Sequence, residues 1–326
     1  RLALDAALGE RGGTLVDADC VDRPDAAEEA AEMLVLLRRQ VADQLKSRGL
    51  IRSRWVFTQL GKLNAAERRI IPGEDELHPG LSPSEILSRL LNGRVVLHPV
   101  TIPEGFTAVQ IAQVLEQKGL GKAEEFVKMV HDRAFIRSLE LDVVSLEGYL
   151  FPETYRFPRN VTAQQVITAM VAGLWRNFTP EMRAHAKGLN MSVHQVLTLA
   201  SVIEKETSTE GEQGLISGVF HNRLRKRIPL QSDPTVIYGL RAFDGNLRKR
   251  DLAAYSPYNT YRIRGLPPGP IANPGAGAIR AALYPVASTY LYFVSRNNGT
   301  HEFSSTLTEH NRAVNKYQRR IVRRRL

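Results

Sequence analysis

Four segments of this chain open with a serine or threonine followed three residues later by glutamate or glutamine. They are Ser82 to Glu85, Thr107 to Gln110, Thr162 to Gln165 and Ser192 to Gln195, and each runs on into apolar residues at helical spacing. In such a capping box the first side chain accepts from the backbone of the third helical residue, whose own side chain reaches back to the cap. Helix starts otherwise leave backbone donors unpaired, so the pattern marks where four helices begin. After Ser82, proline occupies the first helical position, Ile86, Leu87, Leu90 and Leu91 form the apolar face, and Gly93 ends it. The Thr107 helix places Ile111, Val114 and Leu115 inside and stops at Gly119, and the Thr162 helix runs to about Asn177. The Ser192 helix carries Val196, Leu199, Ala200 and Ile203 and then meets Glu204-Lys205-Glu206.

Other elements fill in around these. Met33, Leu37, Val41 and Leu45 make a helical stripe that ends at Gly49, and a helix is expected from about Glu212 to Lys226. Val95-Val96-Leu97 and Val100-Thr101-Ile102 are short β-prone runs, ended by Pro103-Glu104-Gly105. Tyr290 to Val294 reads as a strand that Asn298-Gly299 turns into a hairpin with His301-Glu302-Phe303, and a helix from about Thr308 follows. The stretch Gly265 to Gly277, rich in proline and glycine, reads as a kinked connection outside the core. The class is therefore α+β, helix-rich, with a C-terminal β-hairpin. A weak internal repeat relates Val41-Ala42-Asp43-Gln44-Leu45 with Arg48-Gly49-Leu50 to Ile111-Ala112-Gln113-Val114-Leu115 with Lys118-Gly119-Leu120. It suits a small strand–helix unit built twice, although two amphipathic helices can match by chance. The chain divides into a poorly ordered segment over 1–30, an α+β region over 31–145 and a second domain over 146–326.

At 326 residues, with 43% hydrophobic and 24% charged residues, two globular domains are expected. A single cysteine, Cys20, excludes an internal disulfide and a cysteine-rich zinc site. The eight histidines form no H-x-x-x-H pair, so neither a metal nor another cofactor is expected. The net charge of +10 points to polyanionic surroundings, with Arg319, Arg320, Arg323, Arg324 and Arg325 crowding the C-terminus as a solvated tail. No groove-reading motif accompanies the charge, so nucleic acid is not an expected partner. No apolar run approaches the ~20 residues that span a bilayer.

Motifs for nucleophilic serine, phosphate-loop and H-E-x-x-H chemistry are missing. What remains is three dense polar and aromatic segments: Leu146 to Tyr155, Leu230 to Val236, and Ser256 to Tyr261 with Gly265 to Ile271. Tyrosine faces beside Asn, Gln and Asp suit a sugar, which offers apolar ring faces and hydroxyl edges. Glu204 and Glu206 stand in the last helical turn, where unpaired carbonyls disfavour an anion and raise a carboxyl pKa. A carboxyl group that keeps its proton can protonate the leaving oxygen of a glycosidic bond. Asp233 is available as a second carboxylate for ordinary hydrolysis.

Read in order, these segments resemble the endolytic murein transglycosylase (YceG-like) family. The likeness lies in LEGYLFPETY from Leu146, ASVIEKET from Ala200, FHNRL from Phe220, LQSDPTVIYG from Leu230, YNTY from Tyr258, GLPPGPIANPG from Gly265, YLYFV from Tyr290 and the pair His310-Asn311. It is dense over 146–326 and looser over about 40–145. The resemblance implies a LysM-like module in the first region, a catalytic domain in the second, and a single N-terminal membrane anchor with the body on the periplasmic or cell-wall side. It implies peptidoglycan strands as substrate, cut internally between N-acetylmuramic acid and N-acetylglucosamine to leave 1,6-anhydro ends, with peptidoglycan synthases as partners. A single glutamate would serve as acid and then base. Glu206, followed by Thr207, matches the helix-end glutamate and small hydroxyl residue of lytic transglycosylases, with Glu204 as its neighbour and runner-up. Gln231, Asp233, Tyr258, Asn259 and Thr260 are expected to line the cleft, and Glu147, Tyr149, Glu153 and Tyr155 to shape a subsite. The competing readings are a non-catalytic cell-wall binding protein and a hydrolase using Glu206 with Asp233.

Overall fold

The computed structural model of the chain describes residues 2–3, 40–63, 74–75, 77–92, 96–207, 209–240 and 242–319. The segment expected to be poorly ordered, apart from Leu2 and Ala3, lies outside these, as do Met33, Leu37 and the arginines beyond 319. The chain separates into two compact units. One takes residues 1–99 with 119–121 and 156–162, and the other takes 100–118, 122–155 and 163–326.

The first unit contains α1 (residues 40–47), α2 (Arg54–Leu63) and α3 (Pro83–Asn92), with a two-residue antiparallel pair of β1 (Leu2–Ala3) and β2 (Glu74–Asp75). Val41 and Leu45 from the expected stripe meet Ile51, Phe57, Ile86 and Leu90 in its core. Gly49 ends α1 at φ +70°, a conformation glycine adopts without strain, and Leu50 N–H bonds back to the Leu45 carbonyl at 2.9 Å. Ser82 accepts from the Glu85 N–H and Glu85 accepts from the Ser82 N–H, so this capping box forms.

Strand β3 (His98–Thr101) pairs with β4 (Thr154–Phe157). In the second unit, Ile102 N–H bonds to the Glu153 carbonyl and the hydroxyls of Thr101 and Thr154 meet at 2.8 Å. Val96-Leu97, expected to be extended, is not part of the strand, and Val95 lies outside the described residues. Helices α4 (Ala108–Gln117), α5 (Ala123–Val130) and α6 (Arg133–Ser138) follow β3 and lie in the same compact unit as the residues beyond 163. Then come α7 (Ala163–Asn177), α8 (Pro180–Gly188), α9 (Val193–Glu206), α10 (Glu210–Arg225), α11 (Asp233–Gly239), α12 (Lys249–Ala253) and α13 (Ala276–Leu283). The antiparallel hairpin β5 (Tyr292–Ser295) and β6 (His301–Ser304) precedes α14 (Leu307–Val314) and a short π-helical turn.

Helix α9 is the axis of this unit. The Ser192 and Gln195 side chains close its capping box, and every residue from Val196 to Ile203 is buried. Burying each Val, Leu or Ile there contributes about 1.5–3 kcal/mol. The polar members are satisfied locally: Thr198 donates to the His194 carbonyl, and Ser201 donates to the Thr198 carbonyl while accepting from Ile271 N–H. Helices α13, α10, α11 and α8 surround α9.

The connection expected outside the core proves buried from Pro270 to Gly275. Its hydrogen bonding centres on one side chain. The Asn273 side-chain oxygen accepts from Gly148 and Leu150 N–H, and its amide donates to Glu147 and to the Phe106 carbonyl. Gly148 sits at φ +85°, and a Cβ there would lie 2.3 Å from Pro270, so two of the motif segments lock together through a position that only glycine fits.

Candidate active site

Glu206 is the last residue of α9, because Thr207 leaves the helix at φ −150° and ψ 138°. Thr207 still donates its N–H to Ile203, and its hydroxyl accepts from Thr209 N–H at 3.0 Å, which starts the chain toward α10. The Glu206 side chain faces a cavity of about 440 Å³ whose walls include Arg223, Gln231, Asp233, Tyr261, Tyr292 and His310. Burial raises its carboxyl to about 7; the charge of Asp233 acts in the same direction, and the Ser232 hydrogen bond and Arg223 act against it. The rise is in the direction expected at a helix end, and its first cause is burial.

The wall beside Glu206 is held by a set of hydrogen bonds. Ser232 Oγ–H donates to Glu206 Oε1 at 2.5 Å. Ser232 stands at the N-cap of α11, yet its hydroxyl does not cap that helix because it is given to Glu206. The Ser232 N–H bonds to Thr260 Oγ1 at 3.0 Å, its carbonyl accepts from Thr235 Oγ1 at 2.7 Å, and Gln231 N–H bonds to the Thr260 carbonyl. Tyr261 donates its hydroxyl to Asp233 Oδ1 at 2.6 Å, and burial, with Asp233, pushes that phenol well above its usual range. Arg223 donates to the carbonyls of Leu291, Pro229 and Leu230 and to Gln231 Oε1, tying the β5 hairpin to the loop before α11.

Glu204 points elsewhere. Its Oε2 accepts from Gly275 N–H at 3.1 Å, and burial, helped by Glu104, raises its carboxyl. Lys205, between the two, donates to the Gly105 carbonyl. The structure therefore brings Glu206, Gln231 and Asp233 together in one cavity and leaves out the other expected site residues. Thr260 lies behind the wall, fully buried beneath Ser232 and Thr235. Asn259 is spent on the carbonyls of Leu252 and Ala254, and Tyr258 packs its ring 4.9 Å from Tyr238. Glu147 is buried among Ala108 N–H, Asn273 and Tyr238, and burial raises it to about 7. Tyr149 meets His194 Nδ1 at 3.1 Å, Tyr155 donates to the Phe151 carbonyl, and Glu153 pairs with Arg176 at 2.8 Å. Among the described residues no cluster of three His, Cys, Asp or Glu side chains could hold a metal, and no helix is long and apolar enough to cross a membrane.

The model of the YceG-like family matches residues 37–316, a span that takes in every residue of this cavity. The chain belongs to the YceG-like family. A protein of Bacillus subtilis named endolytic murein transglycosylase is 34% identical over 85% of this chain and 81% of its own length. A Streptococcus pneumoniae protein of the same name is 32% identical over 85% of this chain, which spans only 56% of that protein. The crystal structure of a YceG-like protein from Listeria monocytogenes is 35% identical and superposes with a TM-score of 0.62, covering 84% of this chain and 94% of that one.

In this YceG-like chain, Arg223, Tyr261, Tyr292 and His310 line the cavity, and Ser232 bonds Glu206 from behind it, although none was expected from sequence as a site residue. Each lies inside a motif that carries the family resemblance. What was missing was which side of each motif faces Glu206.

Proposed function

We propose that this protein is an endolytic peptidoglycan lytic transglycosylase in which Glu206 is acid and then base. The observation that carries the reading is a buried carboxyl group held by Ser232 at the edge of a cavity of sugar-binding size, where burial raises its pKa to about 7. The names of the relatives supply the substrate class. Protonated Glu206 gives its proton to the glycosidic oxygen as the bond between that oxygen and C1 of N-acetylmuramic acid breaks. The developing positive charge at the anomeric centre lies in a cavity that also holds Asp233. Glu206, now a carboxylate, takes the proton of the sugar's own C6 hydroxyl as O6 bonds to C1. The glycan is cut, a 1,6-anhydro end forms, no water enters, and the enzyme regains its proton. Ser232, bonded to Oε1, leaves Oε2 as the oxygen that carries the proton.

Asp233 favours a second reading. Its carboxylate shares the cavity with Glu206 and is oriented by Tyr261, so it could direct a water onto C1 and make the reaction a hydrolysis. One digestion of purified peptidoglycan strands separates the readings by mass spectrometry. Anhydro ends, one water lighter than reducing ends, support transglycosylation; reducing ends support the hydrolase; intact strands support a binding protein only. Glu206→Gln must abolish cleavage on either enzymatic reading.

The remaining assignments follow the family resemblance. Residues 31–145 would contribute a LysM-like glycan-holding module, and an N-terminal anchor would tether the protein to the cell membrane beside peptidoglycan synthases, its body on the cell-wall side. Glu147, Tyr149, Glu153 and Tyr155 would shape a subsite apart from this cavity, and Thr260 would act on substrate indirectly, by holding Ser232.

A further inference from the structure

His310 lines the Glu206 cavity from α14, and the mechanism above does not use it. Its ring stacks on Tyr292, with centroids 5.1 Å apart and planes 23° apart, and Tyr292 in turn lies 5.1 Å from the Arg223 guanidinium. The Nδ1 atom is buried and finds no hydrogen-bond partner among the described residues. The side chain as a whole is only half-buried, so the ring's other edge, which carries Nε2, is the part that reaches the cavity. Nor does any described residue bond to Nε2.

A neutral imidazole has one N–H and one bare nitrogen. A buried N–H without an acceptor is among the rarest defects of folded proteins, and an unfilled acceptor is better tolerated. The proton therefore belongs on Nε2. Burial and the nearby Arg223 charge both hold the ring below the usual imidazole range, which favours its neutral form. The groups that share the cavity with it are Arg223 on α10, Glu206 on α9, Asp233 on α11, Tyr292 on β5 and Tyr261. On its own helix, Glu309 is occupied with the N–H groups of Ser305 and Thr306. An imidazolium here would stabilise the Glu206 carboxylate and strip that residue of its proton. A neutral donor leaves the proton in place.

We propose that His310 is a substrate-binding residue whose imidazole, bare at Nδ1, presents its Nε2–H to an uncharged oxygen of the bound amino sugar, a hydroxyl or acetamido carbonyl. The proposal rests on reading this cavity as the site of glycan cleavage. Its first test needs no turnover. In imidazole ¹⁵N–¹H correlation spectra at pH 7, His310 is expected as the neutral Nε2–H tautomer. Its resonances should shift when soluble uncrosslinked peptidoglycan strands are added to Glu206→Gln protein, which does not cut them. The second test uses geometry. Glutamine places its amide nitrogen near the position of Nε2, and asparagine places it near Nδ1. His310→Gln should keep kcat/KM within about threefold of wild type, whereas His310→Asn and His310→Ala should lose about tenfold or more, chiefly in KM, the scale of one missing hydrogen bond. An Nδ1–H tautomer, an imidazolium at pH 7, unmoved resonances, or equal losses in the Gln and Asn variants would overturn the proposal. Full activity in Glu206→Gln would instead overturn the reading of the site on which it rests.

Discussion

Ser232 and Glu206, 26 residues apart in sequence, share a 2.5 Å hydrogen bond in which the serine hydroxyl donates to Oε1. The bond fixes one carboxyl oxygen and leaves the other toward the cavity. Ser232 is itself held by Thr260 and Thr235, so the orientation of the proposed acid is set from behind by residues that do not line the cavity.

Replacing Glu206 by Gln keeps the shape and removes the proton donor. Release of anhydromuropeptides from purified peptidoglycan should fall by about 10²–10⁴-fold while the circular dichroism spectrum is unchanged. Glu204→Gln, whose side chain faces Gly275, should stay within about tenfold of wild type. A larger loss at Glu204 than at Glu206 would reverse the assignment.

Loss of the Ser232 hydroxyl takes away a bond that lowers the Glu206 pKa. The reaction begins from protonated Glu206, so activity declines as pH rises through about 7. In Ser232→Ala that declining limb should move to higher pH by about one unit, the equivalent of one charge-assisted hydrogen bond. A pH–rate profile measures it, and Ser232→Thr should restore the wild-type limb. A limb that stays in place would show that the bond does not act on the carboxyl group.

Stability should carry the same signature. Glu206 titrates near 7 in the folded protein and near 4.5 when unfolded. Between those values the folded state holds the extra proton, so stability falls as pH rises through that window. Glutamine does not ionise. The melting temperature of Glu206→Gln should therefore gain on wild type from pH 5 to pH 8, by about 1–3 kcal/mol of stability. A constant difference across the range would contradict a raised pKa.

Asn273→Ala strips partners from Gly148, Leu150, Phe106 and Glu147 at once. Leaving several buried polar groups unpaired should cost about 3–5 kcal/mol, read as a lower denaturant midpoint. Gly105 and Gly275 flank Glu204 in the same region, so cleavage should weaken only as far as the folded fraction does. An undiminished midpoint would mean that water replaces the lost bonds.

Much of the architecture could be read along the chain because it is local. Thr107 and Ser192 cap α4 and α9 through side chains three residues away, and Gly49 ends α1 by its own backbone freedom. The Asn298-Gly299 turn delivers the hairpin for the same reason. The segment from Pro270 to Gly275 reads from its prolines and glycines as a kinked connection, yet it is buried. Its burial depends on Asn273 finding partners more than a hundred residues away. Tyr258, Asn259 and Thr260 share one motif, yet their side chains diverge to Tyr238, to the α12 carbonyls and to Ser232.

The sequence by itself determined where the capped helices α3, α4, α7 and α9 begin, that a hairpin precedes the last helix, the family, and that a helix-end glutamate stands among sugar-compatible segments. Only the tertiary structure decided between Glu204 and Glu206 as the residue that faces a cavity. The two are separated by one residue and share Lys205, and along the chain only the Thr207 that follows Glu206 favours one of them, through the family resemblance. Ser232, Arg223 and Asp233 come to Glu206, and Gly275 comes to Glu204, through folding of distant segments. Burial and long-range hydrogen bonds set which carboxyl holds a proton where a substrate can meet it.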